Sequence, residues 1–200
     1  MSTRAKLITW IFLGFTAAFA AAVIALEIKR QHEPEIGSFK PVPDFQLTER
    51  TGKTVTLAEL KGKVWLADFI YSTCPGPCPM ISSKLAELQK EALQNPDVRL
   101  VSFSTNPEND TPEVLRAYAE RFHATDKWLF LTGDKAKVYN LIQNGFALAV
   151  VPQNDAKNPV IHSTKIALVD KKGMIRKFYD GASGEGNEEI LHDIERLARE

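Results

Sequence analysis

The only two cysteines of the chain stand in a single run, Cys74-Pro75-Gly76-Pro77-Cys78-Pro79. Thiolates are soft ligands and electron donors, so a close pair suits two kinds of chemistry, clamping a soft metal ion or exchanging electrons as a dithiol. A third reading is a plain disulfide or two inert buried thiols, against which the crowding of prolines around the pair speaks. Proline is tolerated in a helix only in its first turn, so Pro79 sets a helix start near Pro77 or Cys78. Cys78 is then expected at the helix N-terminus, where the dipole and free N–H groups favour thiolate over thiol. The prolines also restrict the loop and hold Cys74 close to Cys78.

Three residues separate the cysteines, one more than the C-x-x-C of thiol oxidoreductases. Two thiolates alone leave a soft metal ion short of donors, so a third ligand is expected. Of the four histidines, His32 lies in a charged, proline-containing stretch, His123 follows a helix end as a capping residue, and His192 sits on the charged face of the last helix. His162 follows the polar loop QNDAKNP and directly precedes a strand, a position that can face the same sheet edge as the cysteines. Met80 offers a thioether, but its place beside Ile81 points to core packing. Asp68 lies inside an apolar run six residues before Cys74. Buried there, its carboxyl would have a raised pKa and could shuttle a proton to a thiol; alternatively it turns toward a polar partner and takes no part in chemistry. Gly181, Gly184 and Gly186 precede a helix, but Glu185, Glu188 and Glu189 would repel an anion, so a flexible loop is expected there.

Strands and helices alternate around these residues. FQLTER, the Thr51-Gly52 step and KTVTLAEL form an expected hairpin. Lys63 to Tyr71, KVWLADFIY, has the length and composition of a buried central strand. Ile81, Leu85, Leu88 and Ala92 share one helix face, and Val98 to Ser104 is the next strand. Thr111 and Pro112 are an N-cap and a first helical residue, and that helix is expected to bury Leu115, Tyr118, Ala119 and Phe122. Trp128 to Leu131 is a short strand, and Asp134 opens a further helix. Lys165–Val169 and Met174–Tyr179 form a hairpin around Lys172-Gly173. Asn187 is expected to cap a last helix burying Ile190, Ile194 and Leu197. This order predicts an α/β fold, a thioredoxin-like mixed sheet flanked by helices with an N-terminal β-hairpin extension and one N-terminal transmembrane helix.

That transmembrane helix is read from Leu7 to Leu26, LITWIFLGFTAAFAAAVIAL, 20 residues without a charge. At about 1.5 Å per residue it spans a hydrocarbon core of roughly 30 Å. Ala18-Phe19-Ala20 has the form of a signal cleavage site, but the apolar run continues beyond it, which favours an uncleaved anchor. Residues 1–6 are then a cytoplasmic N-terminus, 7–26 the anchor, 27–43 a charged, proline-containing tether, and 44–200 the folded domain. Without an Arg-rich, acid-poor transit segment, the expected setting is a bacterial inner membrane, crossed once, with the domain in the periplasm. Among the 200 residues, 25 Lys and Arg balance 25 Asp and Glu, which argues against a nucleic-acid partner. With 44% apolar residues there is enough for a core.

VWLADFIYSTCPGPCPM, SFSTNPENDTPEVLRAY, WLFLTG and VIHSTKIALVDKKGMIRKFYDG, in this order and spacing, resemble the SCO/SenC family over residues 40–198. Its members are membrane-tethered, thioredoxin-like copper-binding proteins that assist assembly of the copper centre of cytochrome c oxidase. The resemblance implies that Cys74, Cys78 and His162 are copper ligands, that Cu(I) and also Cu(II) are the ions concerned, and that the acceptor is an oxidase subunit. A thiol reductase or another copper carrier would be a further partner. The family usually carries D-P-x-x-D-T-P where this chain has Asn106-Pro107-Glu108-Asn109-Asp110-Thr111-Pro112. Asn106 cannot supply the charge that would orient a ligand histidine or enter a Cu(II) shell, which favours Cu(I), although it can cap a turn equally well. Thioredoxins place a buried acid on the strand equivalent to that of Asp68. Two functions therefore stand side by side, a copper chaperone and a thiol–disulfide oxidoreductase that reduces the cysteines of a copper-accepting partner through Cys74 and Cys78. Few apolar residues pin the loop from Pro152 to Ile161, so it is expected to be mobile without metal and to be ordered by copper through His162.

Overall fold

The computed structural model describes residues 10, 12–24, 36–148, 163–183 and 186–200. The chain divides into two compact units, Met1–Glu35 and Ile36–Glu200. In the first, residues 12–24 are helical with exposed side chains. Among the described residues no helix is long and apolar enough to cross a membrane, and both ends of the expected 7–26 span lie outside them.

The second unit is a seven-stranded mixed sheet. Its strands are β1 (Gln46–Glu49), β2 (Thr54–Thr56), β3 (Val64–Ile70), β4 (Val98–Ser104), β5 (Trp128–Thr132), β6 (Lys165–Val169) and β7 (Ile175–Asp180), in the spatial order β2-β1-β5-β4-β3-β6-β7. β3, β4 and β5 are parallel neighbours, with β6 antiparallel to β3 and β7 antiparallel to β6. The helices are α1 (Leu57–Leu60), α2 (Pro77–Ala92), α3 (Pro112–Arg121), α4 (Lys135–Asn140), which runs on into a π-helical turn over Leu141–Gly145, and α5 (Asn187–Arg199).

All seven side chains of β3 are buried, because helices cover both faces of the sheet. Val64, Leu66 and Ile70 pack with Ile81, Leu85 and Leu88 of α2, Leu115 and Tyr118 of α3, and Ile190, Ile194 and Leu197 of α5. Trp65, Ala67 and Phe69 face the other way, onto Leu57 and Leu60 of α1, Val138 of α4 and Phe146. Strand alternation therefore turns Asp68 toward the α2 and α3 side. This is the thioredoxin-like layering expected from the sequence, with the hairpin β1–β2 added at one edge.

Local signals set most boundaries. Gly52 and Gly173 take φ of +86° and +81° at the two hairpin turns, which only glycine adopts readily. Thr111 Oγ1 accepts the Val114 N–H at the start of α3, and Asp134 Oδ1 accepts the Lys137 N–H at the start of α4.

Three local expectations are corrected and one is refined. LAEL is not strand but the turn α1, because the Glu59 carboxylate reaches back 2.7 Å to the Thr56 N–H and makes Thr56 a helix start. The last helix is capped by Gly186, with Asn187 its first helical residue. Residues 36–42 are not free tether: Phe39 N–H donates to Ile175 C=O and Val42 N–H to Gly173 C=O, at 2.8 and 2.9 Å. Gly181 lies in the expected loop after β7 but is closely packed there, since a Cβ would lie 2.9 Å from the Thr164 carbonyl oxygen and 3.1 Å from Ile81 Cγ1.

Candidate functional site

The central strand β3 ends at Ile70, and Tyr71 follows, 5% exposed. The chain then turns sharply, with the Cys74 N–H donating to the Tyr71 carbonyl at 3.1 Å. Gly76 is the N-cap of α2, Pro77 its first residue and Cys78 its second. Both cysteines are free and buried, 7% and 4% exposed.

Their sulfurs are joined by a hydrogen bond, and they are not equivalent. Burial raises the Cys74 thiol, but the Cys78 S–H, the backbone N–H groups of Cys78 and Gly76, and the Tyr71 hydroxyl all converge on its sulfur and bring it below its ordinary value. Cys78 is driven the other way. Burial raises it most, the hydrogen bond it gives to Cys74 raises it further, and the charges of Cys74 and Asp68 add to this, with the Tyr71 backbone N–H opposing. This corrects the expectation of a Cys78 thiolate. The helix N-terminus delivers its N–H groups to the sulfur that lies in front of it, Cys74, rather than to the one built into its first turn.

Asp68 lies beneath the pair, 1% exposed. Its Oδ1 accepts the Ser102 hydroxyl at 2.5 Å, and Ser102 in turn accepts the Trp128 indole N–H at 2.9 Å. Its Oδ2 is buried without a hydrogen-bond partner. Burial lifts the carboxyl to about 7, against the lowering effect of Ser102. Tyr118 on α3, hydrogen-bonded to Ser82 of α2 at 2.9 Å, feels the charges of both Asp68 and Cys78.

The loop between β4 and α3 is bound to the cysteine loop. Asp110 is fully buried, and its carboxylate accepts the Ser72 hydroxyl at 2.5 Å, the Ser104 hydroxyl at 2.6 Å and the Ser72 N–H at 3.2 Å. Thr105 N–H donates to the Ile70 carbonyl at 2.7 Å, and the Tyr139 hydroxyl to the Thr105 carbonyl at 3.1 Å. Asn106 forms the turn, its carbonyl accepting the N–H groups of Asn109 and Asp110 at 3.0 and 2.9 Å. Nothing in the sequence signals the role of Ser72, which depends on Asp110 and Ser104 being brought to it across β3 and β4.

His162 and the loop 152–161 lie outside the described residues, as does His32. β6 runs antiparallel to β3, so it begins at the end of the sheet where β3 stops. The Thr164 carbonyl accepts the Gly181 N–H at 2.7 Å, and Gly181 abuts Ile81, three residues beyond Cys78. His123 has φ of +51° just past α3, in keeping with a helix-ending role, and His192 is half-exposed beside Asp193 on α5. Met80 is 50% exposed rather than in the core, because α2 points it outward from its first turn. Among the described residues, no three His, Cys, Asp or Glu side chains converge on one point. A cavity of about 680 Å³ lies among β1, α1 and α4, and neither cysteine lines it.

The SCO1/SenC family model matches residues 34–199. The chain belongs to the SCO1/SenC family. It is 36% identical over 156 residues to the SCO1 protein homolog of Bacillus subtilis, covering 76% of this chain and 80% of that one. Among solved Sco structures, it resembles BsSco, a member of the Sco family of cytochrome c oxidase assembly proteins in which a disulfide switch was identified. That match has a TM-score of 0.73 and 33% identity, and covers 84% of this chain and 98% of that one. Bradyrhizobium japonicum ScoI with copper bound gives a TM-score of 0.67 and 28% identity, covering 78% and 99%.

Proposed function

We propose that this chain is a membrane-anchored copper chaperone that holds Cu(I) between Cys74, Cys78 and His162. It passes the ion to the copper centre of cytochrome c oxidase or prepares that centre to receive it. The observation that carries this reading is the buried, hydrogen-bonded sulfur pair at the β3–α2 junction. Two soft sulfurs held in contact suit Cu(I), and the proton that Cys78 shares with Cys74 is the one a metal ion would displace. The third donor would be His162, two residues ahead of Thr164, whose carbonyl is bound to the Gly181 that packs on α2. The structure of B. japonicum ScoI with copper bound supports copper as the cargo. Asn106, serving as a turn residue without charge, favours Cu(I) over Cu(II).

A second reading, thiol–disulfide exchange with the cysteines of a copper-accepting partner, rests on the asymmetry of the pair. Cys74 is the sulfur poised to attack and Cys78 the one that must lose a proton. Asp68, with a carboxyl titrating at about 7, would take that proton. Both activities need a reduced pair. We place the domain in the periplasm of a bacterial inner membrane, anchored by residues 7–26 and reached by a short tether, as the uncharged run in the sequence supports.

In cells lacking the gene, oxidase copper content and activity should fall at low copper supply. The wild-type chain should restore them and the Cys74→Ser chain should not. Full restoration by Cys74→Ser would refute the chaperone role. Purified membranes should yield a chain that retains residues 7–26; an N-terminus near Ala21 would refute the anchor.

A further inference from the structure

On the face of the sheet away from α2, the cavity of about 680 Å³ is walled by the start of β1, by α1 and by α4 with its π-helical turn. That volume falls within the roughly 300–1,000 Å³ of small-molecule sites. Leu47, Leu57 and Leu141 line it and are themselves buried, so its floor is part of the core. Phe45 also lines it and is fixed edge-on to Phe103, with ring centroids 5.7 Å apart. Pro43 closes one side, packed so tightly on the π-helical turn that a Cβ on Gly145 would lie 2.9 Å from its Cδ. The walls are therefore formed in advance. Such π-helical turns are rare and frequently lie at functional sites. No proposed copper ligand lies on this one.

The rim carries charge that the protein does not neutralise. Lys63, Lys135, Lys165 and Lys177 each hold a carboxylate. Lys61 and Lys137, which line the cavity and are exposed, have no hydrogen-bonding or ion-pair partner among the described residues. Asn140 stands with them; its amide oxygen accepts from Asn144 at 2.6 Å, which leaves its N–H groups to donate. Asp44 is the one carboxylate lining the cavity. Two ammonium groups against one carboxylate leave a single positive charge to be matched. We propose that this cavity binds a small organic monoanion with an aromatic body, its carboxylate at Lys61 and Lys137 and its ring against Phe45 and the leucine floor. Burial of the ring supplies most of the affinity, and the lysines select for the charge. Because α1 and α4 pack on the face opposite α2, an occupant leaves the cysteine pair uncovered, and the site stands independently of the copper reading.

The probe is 2-naphthoate, added to the full chain in detergent and followed by hydrogen exchange. Residues 43–61 and 135–145 should gain protection at millimolar probe, and residues 98–104 should not change. The neutral 2-naphthamide should bind wild type about tenfold more weakly, as should 2-naphthoate the Lys61→Gln/Lys137→Gln chain. Ala58→Trp, at an exposed lining position of α1, should fill the cavity mouth and abolish the protection. These substitutions are at exposed positions, so unfolding midpoints should match wild type, and the comparison of acid with amide needs no variant. No gain of protection in either segment, an amide that binds as well as the acid, or a double variant within twofold of wild type would each overturn the proposal.

Discussion

At the scale of single residues, the buried carboxyl of Asp68 governs how the site responds to pH. Unfolded, it ionises near 3.8, the ordinary value of an aspartate; folded, burial holds it neutral up to about 7. Between those values the folded chain keeps a proton that the unfolded chain has lost. Stability from this group is therefore greatest below about pH 4, declines as pH rises, and levels off above about 7. The decline is on the order of 4 kcal/mol, from a shift of roughly three pKa units at about 1.4 kcal/mol each. Asp68→Asn keeps an oxygen for Ser102 and carries no charge. Denaturant unfolding at pH 4.5 and 8.5 should show the variant gaining about 3 kcal/mol on wild type between the two. A constant difference across pH would contradict a neutral, buried Asp68. The sequence reveals this residue because a carboxyl in an apolar strand is conspicuous. It points to the wrong sulfur as the more acidic because spacing shows the helix N-terminus but not that its N–H groups, with the Tyr71 hydroxyl, meet at Cys74 rather than Cys78.

At the scale of elements, two loops form one platform for the cysteines, and Asp110 is its fastener. The carboxylate takes three donors from Ser72 and Ser104. Asp110→Ala would leave those donors buried and unpaired, at a cost of about 3 kcal/mol. The unfolding midpoint of the full chain should drop by roughly 6–12 °C. Asp110→Asn, which retains one acceptor, should lose less than half as much. A midpoint unchanged in Asp110→Ala would mean that the Ser72 segment is held by other contacts. Elements whose signals are local were legible in advance. β3, β4 and the caps at Thr111 and Asp134 follow from alternation, apolar runs and side-chain caps. The pairing of residues 39–42 with β7 was not legible, since its hydrogen bonds join residues more than 130 positions apart and nothing in KPVP announces them. The Thr56–Glu59 turn carried its signature, but the strand-like TVTL in front of it masked the change of element.

At the scale of the whole molecule, the fold brings two chain segments distant in sequence to one sheet edge. β3 runs out into the cysteine turn, and β6 starts at the same end of the sheet, so the ligands proposed at Cys74, Cys78 and His162 rely on the pairing of those strands. The proposed two-cysteine clamp with His162 as third donor depends on that pairing, and its parts can be removed one by one. The most direct test is anaerobic titration of the reduced full chain with Cu(I) against a chromophoric Cu(I) chelator. We expect one tightly held ion per chain. Cys74→Ser and Cys78→Ser should each abolish tight binding, and His162→Ala should weaken it at least tenfold while leaving the stoichiometry at one. Undiminished binding by either serine variant, or a His162→Ala affinity within twofold of wild type, would contradict the three-ligand site.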